Sequence, residues 1–296
     1  MPSTTTRTID AHYVASETIP AAAFIPRYMD KLGDELFKGR EVGVRGFNCH
    51  QYDQFSPFLT CSDITVGPPL MFPDHPHCGH DMMLYVIDDF MGWKETFGER
   101  DVHWMTTGKG IIHAQVPGKQ AANRHVQFWI NLPKELKECE PGNQVLRASK
   151  TEIIKTENAT IRLLVGKYAG KESTVKSATP ILMMDVVTTG STALTIPGEY
   201  FLGVYNLSGT GTVGAQSLCP HSVATSKAGS SGDTLLQCEG EMRFLLFAGA
   251  PIKENIDVDG YFICCTKEET NNAIRDFDSR SNGFARGATW SSKIAH

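Results

Sequence analysis

The chain has 296 residues, 41% hydrophobic and 21% charged, which suffices for two packed domains or one large one. The formal net charge is -5 and the basic residues are scattered, which argues against direct nucleic-acid binding. No run of about 18 apolar residues exists, so no membrane contact is expected, and eight cysteines without a CxxC pair fit reduced thiols in a cytoplasmic protein.

Residues 1–40 read as an N-terminal extension with a polar start and one short helical candidate, Tyr28 to Phe37. From Glu41 the texture changes to short β-like runs broken by Gly, Pro and Asp. Such runs are Phe58 to Cys61, Met82 to Ile87, Val126 to Asn131 and Ile161 to Val165. Further on come Ile181 to Val187, Phe201 to Tyr205 and Met242 to Phe247. Many short strands at this spacing predict an all-β sandwich or barrel. The polar stretch 134–150, with Pro133 and Pro141 at hand, reads as a linker. It separates two β units of similar length, 41–133 and 151–296. Near the end, Thr266-Lys-Glu-Glu269 spells a capping box, and Ala273, Ile274 and Phe277 form the apolar stripe of a helix.

The chemistry concentrates in Phe72-Pro-Asp-His-Pro-His-Cys-Gly-His-Asp81. His75 and His77 are two apart, so on an extended strand they share a face, with Cα atoms about 6 to 7 Å apart. Two imidazoles so placed can reach one metal ion. His113 and Gln115, in Gly108-Lys-Gly-Ile-Ile-His-Ala-Gln115, repeat the spacing. Adjacent strands would bring all four side chains together. Asp81 has the parity of His75 and His77, although Gly79 weakens that count. It is either an acceptor for a ligand imidazole, the preferred role, or a substitute fourth ligand. Cys78 has the opposite parity. His80 and His103 either line the site or are structural. His12, His50, His125, His221 and His296 read as structural or solvated. Gly209-Thr-Gly-Thr-Val-Gly214 spells GxGxxG but follows a strand and leads into no helix, so it reads as a hairpin.

Phe72-Pro-Asp-His-Pro-His-Cys-Gly79, Trp104-Met-Thr-Thr-Gly-Lys-Gly-Ile-Ile-His113 and Gln127-Phe-Trp-Ile-Asn-Leu-Pro133 resemble the pirin family. Ser56-Pro-Phe-Leu59, Glu140-Pro141, Phe247-Ala-Gly-Ala-Pro251 and Ser281-Asn-Gly-Phe284 add to the match. The resemblance implies a bicupin, two jelly-roll β-barrels in tandem, here with a short C-terminal helix. It implies one metal site in the N-terminal barrel, 41–133; the C-terminal barrel, 151–296, has no His-x-His pair, so no metal is expected there. The implied ligands are His75, His77, His113 and the residue at 115, where the family has Glu and this chain has Gln. The family also has Arg, Phe and Glu where this chain has Cys78, His80 and Asp81.

Imidazole ligands suit a divalent transition metal, Fe(II) first, with Zn, Ni, Cu or Mn as alternatives. Gln115 can ligate weakly through its carbonyl oxygen or hydrogen-bond a bound water. Gln115 and Asp81 are the candidate catalytic residues. The resemblance implies two classes of function. One is an enzyme of the quercetin 2,3-dioxygenase type acting on a flavonol-like small molecule, weakened by Gln115. The other is a metal-dependent regulatory protein that binds a protein partner, cytoplasmic and also nuclear.

Overall fold

Runs of β-branched and aromatic residues punctuated by Gly and Pro become strands almost throughout. The structure is a computed structural model that describes residues 5–6, 43–47, 55–66, 72–87, 90–91, 96–115, 123–226, 228 and 232–292. The helical candidate at 28–37 and His12, His50 and His296 lie outside those residues. Residues 60–148 and 253–292 form one compact unit, and residues 149–252 with 55–59 form the other.

In the first unit a six-stranded sheet runs in the order Gly142–Leu146, Val102–Thr106, His80–Val86, Asn123–Asn131, Phe58–Val66, Gly43–Phe47. His80–Val86 is central and every one of its residues is buried. Its near-continuous apolar run, Met82 to Val86, is what burial on both faces requires. A separate antiparallel pair, Phe72–His77 with Ile111–Gln115, carries the histidine motif.

The packing adds to two boundaries read from the sequence. The stretch 134–150 is not a plain linker. Gly142–Leu146 pairs antiparallel with Val102–Thr106 as an edge strand. Four of its five residues keep some exposure, so it reads as polar. Arg147 Nη1 donates to Asp101 Oδ2 (2.8 Å) and the Ala148 amide to Asp101 Oδ1 (2.8 Å), which pins its far end. Residues 253–292 pack in the same compact unit as 60–148, although they follow the C-terminal β unit in sequence. Phe262, Cys264, Phe277 and Phe284 pack with Cys78 into one apolar cluster, and that burial outweighs closeness in sequence. The helix itself, Lys267–Ser279, forms as read. Thr266 accepts from the Glu269 amide and the Glu269 side chain accepts from the Thr266 amide.

The second unit is built on a nine-stranded sheet with two long strands, Phe201–Val213 and Asp233–Gly249. The first part of Asp233–Gly249 pairs with Thr192–Pro197 and the last part with Ile181–Thr189. A strand that changes partners must bend. Gly240 sits between the two parts with φ +110, which a side chain would resist. Gly209–Gly214 is the expected hairpin: Gly211 faces Leu218 and Val213 faces Gln216. The interior is an apolar cluster that includes Leu163, Met184, Val204, Phe244 and Leu246. His221 Nδ1 lies 3.2 Å from the Tyr205 hydroxyl.

Candidate metal centre

The ligand strands pair so that His75 stands opposite His113 and His77 opposite Ile111. The register slips between Phe72 and His75. That irregularity holds Pro73, whose carbonyl accepts from His75 Nδ1 at 2.7 Å. A strand holding Pro73 and Pro76 lacks two ladder donors, which suits a short two-stranded pair better than a wide sheet. The bond to Pro73 places the His75 proton on Nδ1 and turns a bare Nε2 inward. One ring nitrogen from each of His75, His77 and His113 lies within 4.8 Å of the others, and all three side chains are buried.

The donor set fits a metal ion. His75 Nε2 and His113 Nε2 are 2.9 Å apart. Two lone pairs cannot face each other at that distance without a proton or a cation between them. His77 Nε2 is buried without a hydrogen-bond partner, so its lone pair is open to a cation. Burial holds the His75 pKa down at about 4. It pushes His77 and His113 well below the imidazole range, and the neighbouring imidazoles add to that. Neutral imidazoles are the ligating form.

Aromatic rings enclose the trio. Trp129 stands edge-on to His77 at 5.2 Å. Tyr261 packs at 4.9 Å from His75 and 4.7 Å from His77. Tyr261 arrives from the C-terminal segment, which crosses the end of the ligand strand. The Cys78 amide donates to the Tyr261 carbonyl (3.2 Å) and the Ile263 amide to the Cys78 carbonyl (3.2 Å). Gly79, at φ +78, is obligatory there, since a Cβ would stand 1.8 Å from the Ile263 carbonyl oxygen. Buried Lys137 ties the junction. Its Nζ donates to the Gly79 carbonyl (2.9 Å), Asn131 Oδ1 (2.7 Å) and the Ile263 carbonyl (3.2 Å). These three acceptors use all its donors and compensate a buried ammonium. A cleft of about 250 Å³ opens beside His113, with Lys109, Glu140, Phe284, Arg286 and Trp290 on its walls.

Gln115 shares the strand face of His113, as its spacing predicts. Its Nε2 donates to Gln127 Oε1 at 3.0 Å, so a neutral amide pair occupies that flank. Asp81 departs from the expectation. It pairs with Thr106 and Ile130, whereas Met82 pairs with Trp129 and His80 with Asn131. Opposed residues share a face, so His80 and Trp129 look toward the trio and Asp81 looks the other way. The strand ends at His77, Gly79 turns the chain, and parity counted from His75 does not survive the turn. Burial raises the Asp81 pKa to about 7, with Thr106 nearby pulling the other way. His80 takes the place beside the ligands. Its Nε2 is 3.2 Å from His77 Nδ1 and its ring is 4.8 Å from that of Trp129. His103 pairs with Leu84 on the same face as Met82 and is held by stacking on Phe97 (4.9 Å) and by Asn143 (3.3 Å). Trp129 was legible in principle, since residues 127, 129 and 131 alternate onto one face. Nothing in the sequence pointed to Tyr261.

Two β-barrels in tandem, one with imidazoles gathered on its inward strand faces, define a bicupin of jelly-roll type. Solved structures agree on this fold. Quercetin 2,3-dioxygenase from Acinetobacter baumannii superposes with a TM-score of 0.71 at 24% identity, covering 80% of this chain and 91% of that one. A bacterial pirin from Escherichia coli in complex with nickel(II) gives 0.57 at 15% identity, covering 71% and 93%. The family models are narrower: Pirin matches residues 37–130 and the Pirin C-terminal cupin domain matches 181–283. Human pirin is 32% identical over 253 residues, 81% of this chain and 87% of its own length. The chain belongs to the pirin family.

Proposed function

We propose that the chain binds one divalent transition metal ion through His75, His77 and His113, with Fe(II) the first candidate. Its reaction class is dioxygen-dependent ring opening of a flavonol-type substrate, at a rate limited by the lack of a nearby carboxylate. The observation that carries the metal is the convergence of one nitrogen from each of three buried imidazoles within 4.8 Å, with His77 Nε2 lacking a partner. A metal held there supplies a Lewis-acidic position for a hydroxyl substrate and one-electron chemistry for dioxygen. The remaining work falls to the chain. Trp129 and Tyr261 shut water away from the imidazoles, and a dry site strengthens each electrostatic contact. The flavonol hydroxyl must lose a proton, and a positioned base is typically worth about 10² to 10⁴-fold. Gln115 carries no charge and is no useful base, its amide is engaged by Gln127, and Asp81 faces away.

The same amide pair favours a second reading, a metal-dependent regulatory protein whose occupied site shapes a surface for a protein partner. That role needs a bound metal and no base. It is compatible with a cytoplasmic or nuclear protein; no described helix is long and apolar enough to cross a membrane. Elemental analysis of freshly purified protein, then oxygen uptake with flavonols after Fe(II) loading, tests both readings. Near-stoichiometric metal with slow uptake supports the enzyme. Metal without uptake supports the regulator. Protein that takes up no metal under either condition overturns both.

A further inference from the structure

We infer that His80 is a positioning residue that fixes the tautomer of His77, so that the bare nitrogen of His77 points at the other two imidazoles. The inference uses the metal reading above for its affinity measurement alone; its hydrogen-bond logic stands apart. His80 Nδ1 lies 3.0 Å from the Cys78 carbonyl oxygen. A carbonyl only accepts, so Nδ1 carries the His80 proton and Nε2 is left as an acceptor. His77 Nδ1 stands 3.2 Å from that Nε2 and therefore donates. Two neutral rings in series thus leave His77 Nε2 bare, and it is this atom that is buried without a partner. A ligand imidazole commonly hands its other N–H to an acceptor that sets ring orientation and basicity. Here the acceptor is another imidazole, three residues on.

The surroundings hold His80 for this role. The His80 amide donates to Thr107 Oγ1 (3.1 Å), and Thr107 returns its hydroxyl (2.6 Å) and amide (3.0 Å) to the His80 carbonyl. The Gly79 turn brings the strand back so that residues 77 and 80 face each other, and the His80 ring lies against Trp129, tilted by 32°. A packing residue alone would need only the ring. The two hydrogen bonds, in one direction, need the imidazole.

The test is nitrogen-15 NMR of histidine-labelled protein with zinc(II) titration of wild type, His80→Phe and His80→Gln. Wild type should show His77 protonated at Nδ1 before zinc is added, with Nε2 the nitrogen that zinc shifts. His80→Phe keeps a ring against Trp129 but removes the acceptor. It should let His77 populate both tautomers and weaken zinc binding about 10- to 100-fold. His80→Gln returns a carbonyl oxygen close to the lost Nε2 and should restore the Nδ1-protonated form and most of the affinity. An unchanged His77 tautomer in folded His80→Phe overturns the inference. So does equal loss in the Phe and Gln variants, which marks a purely structural residue. Wild type that binds no zinc overturns the metal reading instead, and the tautomer comparison still decides the role of His80.

Discussion

The two units use one strand architecture and fill it in opposite ways. Residues 149–252 line their interior with Leu163, Met184, Val204, Phe244, Leu246 and their neighbours, an apolar cluster without a histidine. In the other unit the inward faces carry His75, His77, His80, His113, Gln115 and Gln127, all buried. An apolar core repays its own formation, at about 25 cal/mol per Å² removed from water. Buried imidazoles cost desolvation, which appears here as ring pKa values held down to about 4 at His75 and about 3 at His80. The second kind of interior is kept for what it can bind, because metal binding returns free energy to the folded state. Strand pairing makes the scaffold, and the side chains on one face decide whether it is a core or a site.

The largest expected effect removes the difference between the two interiors. Replacing His75, His77 and His113 together by Ala should abolish metal binding by elemental analysis, and His77→Ala alone should remove most of it. Stoichiometric metal in the triple variant would mean the site lies elsewhere. Next comes the apolar interior. Leu246→Ala should cost about 2–5 kcal/mol in urea unfolding while the metal content of the folded protein stays constant. Metal lost in step with stability would break the contrast between a core and a site.

Smaller effects sharpen the comparison at its polar side. Gln115→Glu gives the site a charge and a base. It should tighten metal binding and raise any flavonol-dependent oxygen uptake at least tenfold, within the reach of a positioned base; unchanged affinity and rate would show that position 115 does not touch the chemistry. Asp81→Asn should leave metal affinity unchanged, since Asp81 faces away from the ligands. Its effect should appear in stability against pH. A carboxyl raised from 3.8 to about 7 in the folded state binds more protons folded than unfolded between those values. Stability therefore falls as pH rises across that window. Asn carries no such proton, so the variant should flatten the decline. A variant that keeps the full slope would assign it to another group.

Much of this protein was legible in its residues. Strand texture announced an all-β chain, and two-residue spacing put His75 beside His77 and His113 beside Gln115, because side-chain period along a strand is local. The capping box at Thr266 was readable for the same reason, since its two hydrogen bonds close within four residues. Tertiary structure decided the rest. Only the pairing of Phe72–His77 with Ile111–Gln115 brought the imidazoles together. Only the turn at Gly79 exchanged Asp81 for His80 beside the three imidazoles, since a left-handed glycine resets strand parity in a way that counting cannot follow. Tyr261 reached His75 and His77 from 184 residues away, counted from His77, because burial of Phe262, Phe277 and Phe284 against Cys78 carried it there. Hydrophobic burial takes no account of distance along the chain, so its partners are fixed in space and not in sequence.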